Sequence, residues 1–432
     1  MGKRILIISY FFAPQNAMGA VRPAKLAKYL ARMGHEVTVL CGPGMNDRRD
    51  PTLERDLAEL ADVRVIKEWN PLRDRHAQPV SAAGASAAAA APAKRRGAVH
   101  AVKDALYRWL RWQADQSFRR RATAALNGLQ GPYDMVFSTY APFSVHQIAR
   151  EAKRRGLARR WIADFRDEVG VAFAWQKGLK ARYLRMLRRE ADVLCAVSQG
   201  FLEMMGFEDR GRVLSNGFDR EDLPPQQAVP QREHFRLVYC GLLSMGRKGV
   251  DDRDLTPAFC AVAALIRAGV LARRQVRLVY AGSEGAVFRA QAAACGLEDL
   301  VEDHGLLTRE GSIALQRGAD VLLMASWHMA SQRGILTGKL FEYLMMDKPI
   351  LCCMSGDLPN SGVKQVLEET GMGLCVEQAQ GAGRQQALES WLGERMRLWQ
   401  QGGPLLSCDN RGRVESYAYP ALAAMLADWM DT

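Results

Sequence analysis

The stretch Lys3–Gly42, KRILIISYFFAPQNAMGAVRPAKLAKYLARMGHEVTVLCG, decides the fold class. It opens on a short β-branched apolar run, as in a parallel strand covered on both faces. The loop QNAMGAVR follows, and a helix is predicted from about Pro23 to Met33. HEVTVLCG then reads as a second strand. Strand, helix, strand in this spacing is a βαβ unit, and a chain that repeats it builds a parallel sheet with helices on both faces.

The pattern continues outward. YDMVFSTYAP, RRWIADFRDE, ADVLCAVS and GRVLSNGFD supply further strands, the last with an Asn-Gly turn. LPPQQAVPQREH is a proline- and glutamine-rich linker, and a second βα series begins at FRLVYCGLL. It runs through QVRLVYAGS, LVEDHGLL, ADVLLMAS, PILCCM and GLCVE, and ESYAYPALAAMLADWM closes the chain as a helix. The 432 residues suit two cores rather than one. Three segments are expected: a Rossmann-like domain over 1–225, a second over 235–410, and a C-terminal helix over 411–432 that packs back on the first. In such sheets ligands sit at the carboxyl ends of the strands, so a cleft between the domains is expected to hold the substrate.

Two features interrupt the first series. Residues 72–97 include PVSAAGASAAAAAPAKRRG, a low-complexity stretch of small residues that reads as a flexible insertion. A basic helix over about 98–126 follows, with Val99, Val102, Leu106 and Trp109 spaced by threes and fours, and with Trp112. It has two readings: packed in the first domain, or laid on an anionic membrane with tryptophans in the interface and arginines at the headgroups. The net charge is +12, and the basic surface lies in the first half. Lys94–Arg121 holds nine Lys/Arg against two acids, and Arg150–Arg189 thirteen against four. Such charge suits an anionic partner or a merely solvated face. No recognition motif accompanies it, so nucleic acid is not expected as a partner.

The nine cysteines include no C-x-x-C pair. They read as reduced and buried in a cytoplasmic protein, not as a disulfide framework or zinc site. No signal peptide is expected, and no apolar run is long enough to span a bilayer, so any membrane contact is expected to be peripheral, at the inner face.

The second series carries three places suited to phosphate. GLLSMGRKG follows a strand and holds Arg247 and Lys248; AGSEG, with Gly282 and Ser283, follows the next; TGKLFEYL starts a helix at Gly338, Lys339 and Leu340. Basic side chains supply charge and first-turn amides supply donors. Glu342 lies one turn into that helix among apolar residues. A carboxylate there can accept bonds from a vicinal diol such as a ribose, or it can pair with a neighbouring Lys or Arg. In the first domain, Asp164, Arg166 and Asp167 end an apolar strand. A carboxylate there can position an acceptor hydroxyl or take its proton, or an Asp–Arg pair can shape the loop. His146, near a helix start, reads as a packing or capping residue. Asp251, Asp252 and Asp254 raise the question of a metal.

The order of these motifs resembles glycosyltransferase family 4, retaining enzymes of the GT-B fold, in the branch that builds exopolysaccharide, capsule or O-antigen. The resemblance rests on ILIISYFFAP…GAVRPAKLAKYLARMGHEVTVL, IADFRDE and ADVLCAVSQGF…RVLSNGFD in the first half, and on G…RK, AGSEG, HGLL, ADVLLMAS and GKLFEYLMMDKPIL in the second. It covers nearly the whole chain except about residues 70–130. It implies two Rossmann-like doubly wound domains with an interdomain cleft, and transfer of a sugar from a UDP- or GDP-linked donor to a hydroxyl acceptor. The acceptor would be a lipid-linked or cell-surface glycan, with polyprenyl-linked acceptors typical. By the same resemblance Arg247 and Lys248 hold the donor diphosphate, Glu342 binds the nucleotide ribose, and Gly19 allows close approach of donor or acceptor. No cofactor and no metal are expected, since cationic side chains replace the ion. The family often carries a glutamate eight residues before the Glu342 position, where this chain has Gly334. A non-catalytic GT-B binding protein and a nucleotide-sugar epimerase or hydrolase remain the alternatives.

Overall fold

The computed structural model describes residues 2–44, 49–72, 98–170, 176–225, 233–243, 253–330, 332–381, 383–406 and 411–432. The low-complexity stretch, most of the proline-rich linker, and the Arg247–Lys248 pair lie outside these residues.

The chain forms two units, each around one parallel sheet. In the first, strands β1 (Arg4–Ser9), β2 (Glu36–Cys41), β3 (Asp62–Val65), β4 (Tyr133–Tyr140), β5 (Ala158–Phe165), β6 (Val193–Ala196) and β7 (Gly211–Val213) lie in the order β3-β2-β1-β4-β5-β6-β7. Ile5 pairs in register with Val37 on one side and Met135 on the other. The helices are α1 (Met18–Arg32), α2 (Pro51–Leu57), α3 (Ala98–Ala125), α4 (Ser144–Arg154), α5 (Gln176–Glu190) and α6 (Gln199–Met205). Alternate residues of each strand enter two cores. Leu6, Ile8, Val136 and Trp161 pack under α4, and Ile5, Ile7, Val37 and Phe137 under α1.

In the second unit, β8 (Phe235–Cys240), β9 (Val276–Ala281), β10 (Val301–Asp303), β11 (Val321–Trp327), β12 (Ile350–Ser355) and β13 (Gly373–Glu377) lie in the order β10-β9-β8-β11-β12-β13. Its helices are α7 (Thr256–Arg267), α8 (Gly285–Ala293), α9 (Arg309–Arg317), α10 (Gly338–Met345), α11 (Gly362–Thr370), α12 (Gly383–Gln400) and α13 (Arg411–Glu415). The last helix, α14 (Tyr419–Asp428), belongs to the first unit. Its Leu422, Ala423 and Leu426 are buried with Ala24 and Leu26 of α1.

Four expectations meet a different structure. The first unit ends at Gly217, not near 225. Phe218 N–H bonds to Tyr417 O, Arg220 pairs with Asp347 and Glu415, and Arg317 donates to Pro224 O. These contacts tie Phe218–Pro225 to the second sheet. Helix α1 starts at Met18, five residues before the expected Pro23, and carries the proline inside it. That removes one helical hydrogen bond, which the burial of the helix face offsets. Cys260 and Cys295 form a disulfide between α7 and the end of α8, a pairing that scattered spacing does not signal. Cys41, Cys195, Cys240, Cys352, Cys353 and Cys375 are buried free thiols. Finally, α3 divides between its two readings. Its second half packs, with Phe118 and Ala122 fully buried, while Val102, Leu106 and Trp109 on one stripe of its first half are 66%, 53% and 46% exposed.

Candidate functional site

The second unit gathers its polar residues at the carboxyl ends of β8, β9 and β11. β8 runs into Gly241, whose φ of +124° suits glycine. Its N–H bonds to Ala281 O at the end of β9, and its carbonyl accepts from the Tyr280 hydroxyl at 2.9 Å. A Cβ at Gly241 would stand 2.8 Å from Lys339 Nζ, so the glycine is what lets that side chain in. Lys339 lies in the first turn of α10, where no acidic residue sits and the N-cap Thr337 makes no side-chain bond. Its ammonium stands 3.9 Å from the centre of the Tyr239 ring. Among the described residues no carboxylate pairs with it. The residue as a whole is part-exposed, but its ammonium is hemmed in. Desolvation, helped by the nearby charge of Arg253, lowers its pKa to about 7. Arg253 donates to Leu242 O at 2.8 Å and lies over the Trp327 ring at 5.4 Å. Two cations and the first turn of a helix therefore converge on one strand-end corner, an arrangement whose chemistry suits an anion.

The other residues of this corner divide. Gly282 gives its N–H to Gly305 O, and a Cβ there would lie 2.5 Å from Gly241 O, so it serves the close packing of the turns. Ser283 is exposed. Glu284 accepts from Leu243 N–H and ties the two loops together. Gly338 and Leu340 flank Lys339 in the first turn of α10. Glu342 does not pair with a Lys or Arg among the described residues. Its Oε1 accepts from Gln316 Nε2 at 2.6 Å, and Gln316 in turn bonds Ser312. Gln316 is fully buried, so Glu342 is oriented from behind while the residue remains partly exposed. Gly334 is buried at φ +73°, a conformation that does not suit a glutamate. Arg247 and Lys248, like Asp251 and Asp252, lie outside the described residues. The Asp254 carboxylate accepts from Thr256 N–H at the start of α7.

In the first unit Asp164 sits at the end of β5, fully buried. Its partner is Arg22 of α1, not the neighbouring Arg166. Arg22 Nη2 and Nε donate to its two oxygens at 2.8 and 3.2 Å, Thr139 Oγ1 donates at 2.7 Å, and the Cys195 thiol at 3.4 Å. Arg22 also bonds Leu214 O and Ser215 O. The pair joins α1, β4, β5, β6 and the segment after β7. Arg166 turns the other way. Its Nε donates to Tyr140 O at 2.8 Å, and its guanidinium lies over the Phe11 ring and against Gly19. Asp167 is half-exposed, 3.6 Å from Arg166 Nε. His146 is sealed beside Ser138, and burial lowers its pKa to about 3, so it stays neutral and packs.

Sequence reading named Lys339 and Glu342 but missed Arg22, Tyr239, Gly241, Arg253 and Gln316. The glycine directly after β8 was the one available signal, since a βα turn at a strand end favours it. Arg253 and Gln316 reach the site only through the chain's folding.

Residues 19–217 match the family model described as a glycosyl transferase 4-like domain. No curated protein matches the sequence. Among solved structures the chain is similar to Anabaena HepE in complex with UDP-glucose, at 13% identity over 99% of each chain with a TM-score of 0.56. It is similar to a glycosyltransferase from Rickettsia africae, at 14% identity over 100% of this chain and 98% of that one, TM-score 0.54. Sucrose-phosphate synthase from Thermosynechococcus elongatus aligns at 14% identity over 99% and 98%, TM-score 0.54. The chain has the GT-B fold, and its residues 19–217 match the glycosyl transferase 4-like family.

Proposed function

We propose that this chain is a retaining glycosyltransferase that moves a sugar from a nucleotide-diphosphate donor, UDP- or GDP-linked, to a hydroxyl of a lipid-linked or cell-surface glycan. The observation that carries the reading is the Lys339 ammonium at the start of α10, which no carboxylate pairs among the described residues, beside Gly241 and Arg253. Charge builds on the diphosphate as the glycosidic bond to it breaks. Preorganised cations lower that barrier because they need no reorganisation at that moment. Lys339 supplies this charge, with Arg253 behind it and Arg247 and Lys248 as further candidates. Glu342, held by Gln316, takes the ribose hydroxyls. The fold agrees with the UDP-glucose complex of the HepE protein, and retention of anomeric configuration follows the family 4 resemblance. The test is calorimetric titration with UDP, GDP and their sugar conjugates, followed by product NMR with polyprenyl-linked and soluble acceptors. Binding with transfer and retained configuration supports the reading. Donor hydrolysis or epimerisation without transfer, or no nucleotide binding at all, overturns it.

Glu342→Ala is expected to weaken nucleotide binding by roughly 1.5–3 kcal/mol, the scale of a hydrogen bond to a charged group, with folding preserved. Deoxyribose analogues should bind the variant and the wild type alike. If the variant loses stability while its nucleotide affinity is unchanged, the Gln316 contact is the residue's whole role.

The exposed stripe Val102, Leu106 and Trp109 is flanked by exposed Lys103, Arg108 and Arg111. An apolar stripe edged with cations favours an anionic membrane surface, each basic residue adding on the order of 1 kcal/mol. The protein is expected to sediment with vesicles rich in anionic lipid, less with neutral ones, and less at high salt. Leu106→Ser with Trp109→Ser should remove the association without lowering stability, because both side chains face solvent. Sedimentation unchanged by that double substitution would count against the membrane.

A further inference from the structure

The Cys260–Cys295 bridge differs from the other described cysteines. The six free thiols are buried, whereas both bridge residues are partly exposed. They line a cavity of about 320 Å³ with Ile266, Arg267 and Arg273, a volume at the lower end of the range that holds a small molecule. Arg273 is met by Asp299. Arg267 is exposed, donates from Nε to Ala263 O at 3.4 Å, and pairs with no carboxylate among the described residues. The wall around the sulfurs therefore carries positive charge, and no acidic residue lines it among the described residues.

The bridge is also tied to the Lys339 corner. Gln291, in the last turn of α8, donates from Nε2 to Arg253 O at 3.2 Å, and its Oε1 accepts from Leu255 N–H at 3.1 Å. It thereby holds the backbone of the residue whose guanidinium lies over Trp327. Cys295 follows four residues on, with its Sγ 3.5 Å from Thr256 O at the start of α7. Earlier in α8, Phe288 packs edge-on against Phe259 of α7, ring centres 5.2 Å apart. The aromatic pair keeps the two helices together with or without the bridge. The bridge secures only the end of α8 that carries Gln291.

We propose that the Cys260–Cys295 bridge is a reversible modification site for an anionic low-molecular-weight thiol, and that opening it loosens the Gln291 hold on Arg253 and weakens anion binding at the Lys339 corner. A partly exposed bridge exchanges by thiolate attack, and nearby cations favour thiolates. An incoming thiolate bonds to one bridge sulfur while the S–S bond breaks and the other sulfur leaves as a thiolate. A second thiolate attacks the mixed disulfide and releases the oxidised thiol. In sum, two thiols pass two electrons and two protons to the bridge, which becomes two cysteines; the disulfide of the same thiol reverses the exchange. The corner's part in sugar transfer rests on the transferase reading; the exchange does not.

The test is exchange kinetics on the full chain, with free cysteines trapped by iodoacetamide and the Cys260 and Cys295 peptides followed by mass spectrometry. Mercaptoacetate, an anionic thiol, is expected to open the bridge, and Arg267→Gln to slow it about three- to tenfold, the scale of one partly screened charge. Cysteamine, a cationic thiol, should not be slowed by that substitution. Opening should raise hydrogen exchange of the Leu255 amide and weaken pyrophosphate binding about fivefold or more. Cys260→Ser with Cys295→Ser should bind pyrophosphate as the opened chain does and should not respond to mercaptoacetate. Air-oxidised protein without the linked peptides, a bridge inert to mercaptoacetate, or rates for both thiols changed alike by Arg267→Gln overturns the exchange site. Unchanged Leu255 exchange, or pyrophosphate binding that is absent or indifferent to opening, overturns the link to the corner. Absence of sugar transfer overturns the transferase reading alone, because thiol kinetics, amide exchange and pyrophosphate titration do not depend on it.

Discussion

Lys339→Met is expected to lower kcat/KM for transfer by about 100- to 1,000-fold, the loss seen when one preorganised group facing developing charge is removed. The pH dependence should be more telling than the size. Desolvation lowers the Lys339 pKa to about 7, so in the free protein much of the ammonium is already lost at pH 8. A bound diphosphate favours the charged form and pulls a proton back. Affinity for a nucleotide sugar should therefore fall as pH rises from about 6 to about 8.5, by up to tenfold per unit above the free pKa. Binding at pH 8 should take up protons, visible as a buffer-dependent heat. A nucleotide sugar is the right probe because its diphosphate diester does not itself titrate in this range. The methionine variant should show neither the slope nor the uptake. A flat profile in the wild type, or normal turnover in the variant, would remove Lys339 from the site. The same shift acts on the unliganded fold. The folded pKa lies below the ordinary lysine value of 10.5, so the cost of burying the charge is fully present below about pH 7. Stability should then rise between about 7 and 10.5 from this group.

Asp164→Ala is expected to cost about 3–5 kcal/mol of folding free energy, the penalty of leaving a buried charge without its partner. Arg22 would remain inside, 3% exposed along its side chain, with only backbone carbonyls and Asn216 to satisfy it among the described residues. Urea denaturation at neutral pH measures the loss. Arg22→Met with Asp164→Leu should recover much of it, because no charge is then stranded. A contrary result is equally clear. If Asp164→Ala unfolds like the wild type but no longer transfers sugar, the carboxylate acts on the acceptor rather than on α1.

What could be read from the sequence follows from what is local. The apolar runs at Ile5–Ile8, Val37–Leu40 and Val321–Ala325 announce parallel strands by themselves, because a strand covered on both faces needs no alternation. Their spacing announces the two sheets, and the motif order announces the GT-B resemblance. Lys339 and Glu342 were legible as chemistry because each stands in the first turns of a helix behind a strand. Partner identity was not legible. Glu342 is held by Gln316, 26 residues away, and Asp164 by Arg22, 142 residues away. Only the sheet order β1-β4-β5, which sets strands distant in sequence side by side, brings Arg22 to the end of β5. The crossing of α14 back to α1, the Cys260–Cys295 bridge and the two halves of α3 belong to the same class. Each depends on which buried face another element covers. Periodicity reports that a face is apolar, but packing between distant segments decides what lies against it. Local pattern thus sets the strands, the helices and the residue types able to meet a phosphate, whereas long-range packing sets which of the described charges are paired and buried.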